Sequence, residues 1–209
     1  MRASVRDSAS VSAVDGSAPS ERRLVLIRHG RSSHAHSGWI DVGGFRRWRE
    51  AYEAVGIRDD ERAPSELAGL AAAAGIALSS DARRAVASAH LLLPGREIVV
   101  SPLLRELDLE PPPLAGVRLP LAAWAIAVGA RVLGSTLRGN YPPPAEAARV
   151  ERALEWLDGL AAEHALIVAV THASFRRQLA QRLSRAGWRA EPRSRSVQHW
   201  SAWAFRRRL

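Results

Sequence analysis

Four consecutive aliphatic residues, Leu24-Val25-Leu26-Ile27, stand between Arg22-Arg23 and Arg28. So short an apolar run, charged at both ends, fits a strand buried on both faces, the habit of parallel sheets covered by helices on each side. The chain then breaks into Arg28-His29-Gly30, whose glycine can take backbone angles closed to residues bearing a Cβ. Ligands of open α/β sheets bind in the crevice at the carboxyl ends of the strands. The strand therefore hands an arginine and a histidine into the expected ligand crevice.

The rest of the chain supplies what such a sheet needs. A second apolar run at 165–170 ends in Thr171-His172, a third at 76–79 leads into Ser80-Asp81, and 97–101 and 201–205 are strand-like. Between them, Phe45, Trp48, Tyr52 and Val55 recur at helical spacing, as do Val150, Leu154, Leu157 and Ala161. Further helices are predicted over 65–74, 82–93, 119–133 and 175–186, the third of these facing mainly apolar surroundings. This alternation predicts a three-layer α/β/α sandwich with a mostly parallel central sheet. Residues 1–20 are serine-rich and without apolar period, and are expected to form a disordered tail before one domain over 21–209.

Composition narrows the partners. All 30 basic residues are arginine, and the net charge is +9. That balance favours anionic partners, but the arginines are scattered and no aromatic and basic interleaving accompanies them, so nucleic acid is not indicated. The absence of cysteine removes thiolate metal sites and disulfides and fits a reducing cytoplasm. The longest apolar stretches, 67–80 and 119–130, fall short of the ~20 residues that cross a bilayer.

Four segments end on reactive groups. They deliver Arg28 with His29, an arginine just after Ser79-Ser80, a carboxylate after Leu104, and His172. On a parallel sheet these meet at one edge. Arginine forks match phosphoryl oxygens, a neutral imidazole can attack phosphorus, and a carboxylic acid can protonate a departing alkoxide. Residue types alone leave Arg83 and Arg84 as rivals for the second arginine, and Glu106, Asp108 and Glu110 as rivals for the acid.

These motifs resemble the histidine phosphatase superfamily, the phosphoglycerate-mutase-like proteins. Arg28-His29-Gly30 matches the opening motif, Ser79-Ser80-Asp81-Ala82-Arg83-Arg84-Ala85 the arginine segment, Leu104-Arg105-Glu106 the acid segment, and Val170-Thr171-His172 the second histidine. The resemblance implies that His29 is the nucleophile, that Arg28, Arg84 and His172 hold the phosphoryl oxygens, and that Glu106 is the proton donor. It implies no metal and no cofactor. The sequence departs from the family where Arg31 replaces a glutamate and Ala35 an asparagine, while Ser32 keeps a hydroxyl. Ser32 and Arg31 are thus expected at the substrate, with His34 or His36 as replacement phosphate ligands and Trp39 as a pocket wall. The segment after Glu106 lacks the family's usual Gly and Trp-Glu-Gly.

The expected activity is that of a metal-independent phosphatase hydrolysing a small phosphorylated metabolite through a phosphohistidine. Two alternatives stand beside it: a phosphoglycerate-type mutase, and an inactive family member that only binds phosphate or nucleic acid. A binding module has no need of a proton donor opposite a histidine.

Overall fold

The computed structural model of the chain describes residues 21–35, 37–192 and 196–208. The expected tail over 1–20 and His36 lie outside the described residues. In chain order the elements are β1 (Glu21–Arg28), β2 (Trp39–Ile40), α1 (Val42–Ala54), α2 (Ser65–Ala72), β3 (Ile76–Ser80), α3 (Arg83–Leu92) and β4 (Val99–Ser101). A 3-10 turn at Pro102–Leu104 follows, then β5 (Leu119–Pro120), α4 (Leu121–Leu137), α5 (Pro144–Glu163), β6 (Leu166–Thr171), α6 (Ala173–Arg185), β7 (Arg189–Ala190) and β8 (Ala202–Arg208).

Six strands form the central sheet in the order β4-β3-β6-β1-β8-β7. The pairings β1–β6, β3–β6 and β3–β4 are parallel, while β8 runs antiparallel to both β1 and β7. Helices cover both faces, which is why the strand interiors carry no polar alternation. Leu24 and Leu26 point into a core with Leu157 of α5 and Phe175 and Leu179 of α6. Val25 and Ile27 point the opposite way, against Ala71 of α2 and Ala85, Ala89 and Leu92 of α3. All four aliphatic residues of β1 are completely buried. Deleting several methylenes from any of them would cost about 2–5 kcal/mol.

A third, smaller core lies over the carboxyl edge of the sheet. Phe45 of α1 packs there with Trp124 and Val128 of α4, and the Trp124 indole donates to the Ile40 carbonyl at 2.8 Å. The two-residue pairing of β2 with β5 ties the start of α4 to the start of α1. Asp41 caps α1 by accepting from the Gly44 amide at 2.7 Å, consistent with the preference of helix N-termini for short oxygen-bearing side chains.

α4 departs from the sequence expectation. It begins two residues later than expected, and of its residues only Trp124 and Val128 are buried. Ile126, Leu133 and Leu137 are 60–80% exposed. A helix apolar all round reads as buried from sequence; here one side packs on α1 and the rest stands open. Among the described residues, no helix is long and apolar enough to cross a membrane.

Candidate active site

The strand register assembles the site. In the β1–β6 ladder Arg28 lies opposite Thr171, so the next residue of each strand, His29 and His172, leaves the same edge side by side. The His29 amide donates to the Thr171 carbonyl at 3.0 Å, and the two imidazole centroids are 5.1 Å apart. β3 ends beside them with Ser80, whose hydroxyl meets His172 Nε2 at 2.9 Å. Arg84 arrives from the first turn of α3 and is 1% exposed, whereas Arg83 is exposed. Adjacent helical residues point to different faces, and it is Arg84 that faces the histidines.

Hydrogen bonding defines the imidazole tautomers. His29 Nδ1 lies 2.7 Å from the Gly30 carbonyl. A carbonyl only accepts, so Nδ1 carries the proton and Nε2 keeps its lone pair. Arg84 Nε donates to that Nε2 at 3.3 Å. Arg84 Nη2 lies 3.3 Å from His172 Nδ1; a guanidinium only donates, so His172 Nε2–H donates to Ser80. Burial, reinforced by the neighbouring arginines, holds His29 well below the usual imidazole range. His172 is lowered too, by burial and then by His29 and Arg84. Both rings are therefore neutral near pH 7.

Glu106 reaches the same cavity from the loop after the 3-10 turn. Its carboxylate caps the N-terminus of α6, accepting from Phe175 at 2.8 Å and Ser174 at 3.2 Å, and from its neighbour Leu107 at 3.0 Å. Burial raises its pKa, and the three amides pull against that without prevailing. Its sequence rivals point elsewhere: Asp108 pairs with Arg49, and Glu110 with Arg46. Arg28 completes the set, with one guanidinium nitrogen donating to the Val197 carbonyl and its Nε buried without a partner among the described residues. Arg28, His29, Arg84, Glu106 and His172 all line one cavity of about 550 Å³.

Ser32 and Arg31 lie away from that cavity's lining. The Ser32 hydroxyl accepts from the His34 amide at 3.2 Å. Arg31 Nε donates to Glu61 at 2.9 Å and lines an adjoining depression with Arg28, His199 and Trp200. The His34 ring lies tilted against Trp48, at 5.8 Å between centroids, and is not part of the lining of the cavity that holds His29. Trp39 is 61% exposed, and the tryptophan on the cavity wall is Trp48. Gly30 is required by proximity rather than by backbone angle. A Cβ there would sit 2.8 Å from the Trp200 ring and 3.0 Å from Glu61 Cγ. Trp200 itself holds a left-handed φ of 60° and donates its indole N–H to Glu61 at 2.6 Å.

Two residues near the histidines carry no motif. Glu53 of α1 forms a two-pronged pair with Arg84, at 3.0 and 2.9 Å, and Arg84 also lies over the Tyr52 ring at 4.4 Å. His199 stands 5.5 Å from His29 between ring centroids. Only the helical stripe through Tyr52 pointed to this face of α1. Among the described residues, no cluster of three or more His, Asp or Glu side chains could hold a metal ion.

With two buried histidines, two arginines and a carboxyl of raised pKa at the end of a parallel sheet, the chain is a member of the histidine phosphatase superfamily (branch 1), whose sequence profile matches residues 24–201. No curated protein matches the chain by sequence. Solved structures share its fold. The mycobacterial glucosyl-3-phosphoglycerate phosphatase in complex with inorganic phosphate is 24% identical, with a TM-score of 0.52 over 78% of each chain. A protein from Thermus thermophilus is 22% identical, with a TM-score of 0.50 over 87% of this chain and 92% of its own.

Proposed function

We propose that the protein is a metal-independent phosphomonoesterase working through a phosphohistidine at His29. The observation that carries this reading is the His29 tautomer: Nδ1–H is committed to the Gly30 carbonyl, so the unprotonated nitrogen is Nε2, whose lone pair accepts from Arg84 Nε until a phosphoryl oxygen takes over that donor. Nε2 attacks phosphorus as the ester P–O bond breaks. Arg28 and Arg84 balance the charge on the phosphoryl oxygens, in a site whose burial strengthens such fixed charges. Glu106 gives its proton to the departing alkoxide. Oε1 already accepts two amides while Oε2 accepts only the longer contact from Ser174, so Oε2 is the oxygen free to carry that proton. Water then attacks the phosphohistidine, its proton passes to Glu106, and the N–P bond breaks.

The test is phosphate release from para-nitrophenyl phosphate with and without a chelator. Hydrolysis should proceed equally in both, and vanadate, phosphate and sulfate should inhibit competitively, with vanadate tightest because it resembles the five-coordinate transition state. Activity that collapses with chelator and returns with a divalent metal would overturn the mechanism. Equal, weak inhibition by all three anions would reduce the site to surface attraction by a basic protein.

Glu53 bears on the same measurement. Its carboxylate holds Arg84 where a phosphoryl oxygen would bind, so the two compete. Because the Glu53 side chain is 49% exposed, the pair is worth about 0.5–1 kcal/mol. Glu53→Gln should therefore tighten phosphate inhibition about two- to fivefold. Weaker inhibition would instead show that Glu53 serves to position Arg84.

A further inference from the structure

The wall of the active-site cavity opposite the phosphate-binding groups is apolar. Phe45, Trp48, Leu109, Leu121 and Val128 face the space that the alcohol portion of an ester must occupy. The cavity does not close there. Arg28, Leu109, Ala125 and Val128 also line a second cleft of about 610 Å³ between α4 and α6, so the two spaces adjoin. The cleft follows α4 from Ala125 to Thr136, about 16 Å at the helical rise of 1.5 Å per residue. Val132 and the exposed Leu133 continue its apolar side.

Charge on this path lies on the α6 side of the cleft, where the exposed Arg177 lines it. Among the described residues, Arg49 is the one further cation lining the active-site cavity, and it is committed to the Leu109 carbonyl and to Asp108. The buried polar atoms left without partners among the described residues of the two walls, apart from Arg28 Nε, are neutral donors: the Trp48 indole N–H and the Tyr141 hydroxyl. A sugar-acid carboxylate placed against Phe45, Trp48 and Val128 in the active-site cavity would lose its hydration with no uncommitted cation beside it other than those facing the phosphoryl group, at substantial cost. An alkyl chain would lose nothing and would remove apolar wall from water.

We infer that the site takes the phosphate monoester of an extended apolar alcohol, with the phosphoryl group at His29 and the alkyl body running from the active-site cavity into the cleft between α4 and α6. The inference rests on the phosphatase reading for its chemistry. Its recognition element, the apolar path, is separable from turnover.

Binding of alkylphosphonates, which have no ester bond to break, separates the two. Titration calorimetry with ethyl-, butyl- and octylphosphonate below their micelle concentrations should show affinity rising about two- to fourfold per added methylene, and by roughly 10²-fold from ethyl to octyl once ordering costs are met. Affinity independent of chain length would overturn the inference. It would leave the phosphatase reading intact if para-nitrophenyl phosphate is still hydrolysed. Conversely, a chain-length gradient in a protein that hydrolyses no ester would support the apolar site while the phosphatase reading fails. Gly129→Phe localises the chain: a Cβ at Gly129 meets nothing within 4 Å, so the variant can form, and its ring would enter the cleft. It should cut the octyl-to-ethyl affinity ratio about tenfold. An unchanged ratio would mean that the chain lies elsewhere and would sink the proposed path.

Discussion

Replacing His29 with alanine should lower turnover of any phosphate ester by about 10⁵–10⁶-fold, as removing a nucleophile does in other covalent enzymes. In the proposed mechanism the Nε2 lone pair is the electron pair that forms the N–P bond, and the side chains nearest to it offer no substitute. His172 keeps Nδ1 toward Arg84 and donates Nε2–H to Ser80, while His199 stands farther off. Quenching wild-type protein during turnover without acid should trap a phosphoryl group that is stable to base and labile to acid. His29→Ala should show none. The fold should survive, since the deletion frees two buried groups, the Gly30 carbonyl and the Arg84 Nε–H, at about 1–3 kcal/mol each. Circular dichroism and a thermal melt check that point. Turnover retained by His29→Ala, or wild-type protein that never labels across a broad panel of esters, would remove the covalent mechanism.

Glu106→Gln should slow an alkyl phosphate by about 10²–10⁴-fold, the usual worth of general acid catalysis. Para-nitrophenyl phosphate should suffer less, because its leaving group departs with little protonation. The amide oxygen of glutamine can still accept from Leu107 and Phe175. Its NH₂ would face the Ser174 amide, donor against donor, across the longest of the three contacts. The pH profile supplies an independent check. In the proposed mechanism the free enzyme needs His29 neutral, hence a pH above its pKa, and Glu106 protonated, hence a pH below its own. Burial moves the first down from the usual imidazole value and the second up from the usual carboxyl value. So kcat/KM should fall in acid with the protonation of His29 and in alkali with the ionisation of Glu106. The alkaline limb should vanish in Glu106→Gln. An alkaline limb that persists there unchanged would assign it to another group.

How much of this was legible beforehand varied with the range of the interaction involved. β1 was readable because burial on both faces removes polar alternation, and Leu24 through Ile27 are buried on opposite faces of one sheet. The stripe of α5 was readable for the same local reason, with Val150, Leu157 and Ala161 all buried. The pairing of Trp39-Ile40 with Leu119-Pro120 was not, since two residues carry no period and their partners are far apart in the chain. Glu53 escaped because a carboxylate on a helix reads as solvated; only the approach of Arg84 from α3 gives it a partner. Arg31 and Ser32 were expected at the substrate from their place after the opening motif. Glu61 and Trp200, which bring Arg31 to the adjoining depression, come from segments with no signature of their own. Trp39, expected as a pocket wall, is an exposed residue of β2, and the tryptophan of the cavity wall is Trp48, which belongs to the stripe of Phe45 and Tyr52 on α1.

The strand that carries His29 sits between two neighbours that are translated long after it. Its parallel partner is residues 166–171 and its antiparallel partner residues 202–208, and the parallel ladder must form before Arg28, His29 and His172 share one edge. While a ribosome is still making the middle of the chain, the first strand is an unpaired aliphatic segment with two open flanks, the kind of surface that recruits chaperones or sticks to other nascent chains. Capacity to react with phosphate esters would then arise late, when residues 166–172 dock beside the first strand, and polypeptides cut short before residue 172 would lack the second histidine.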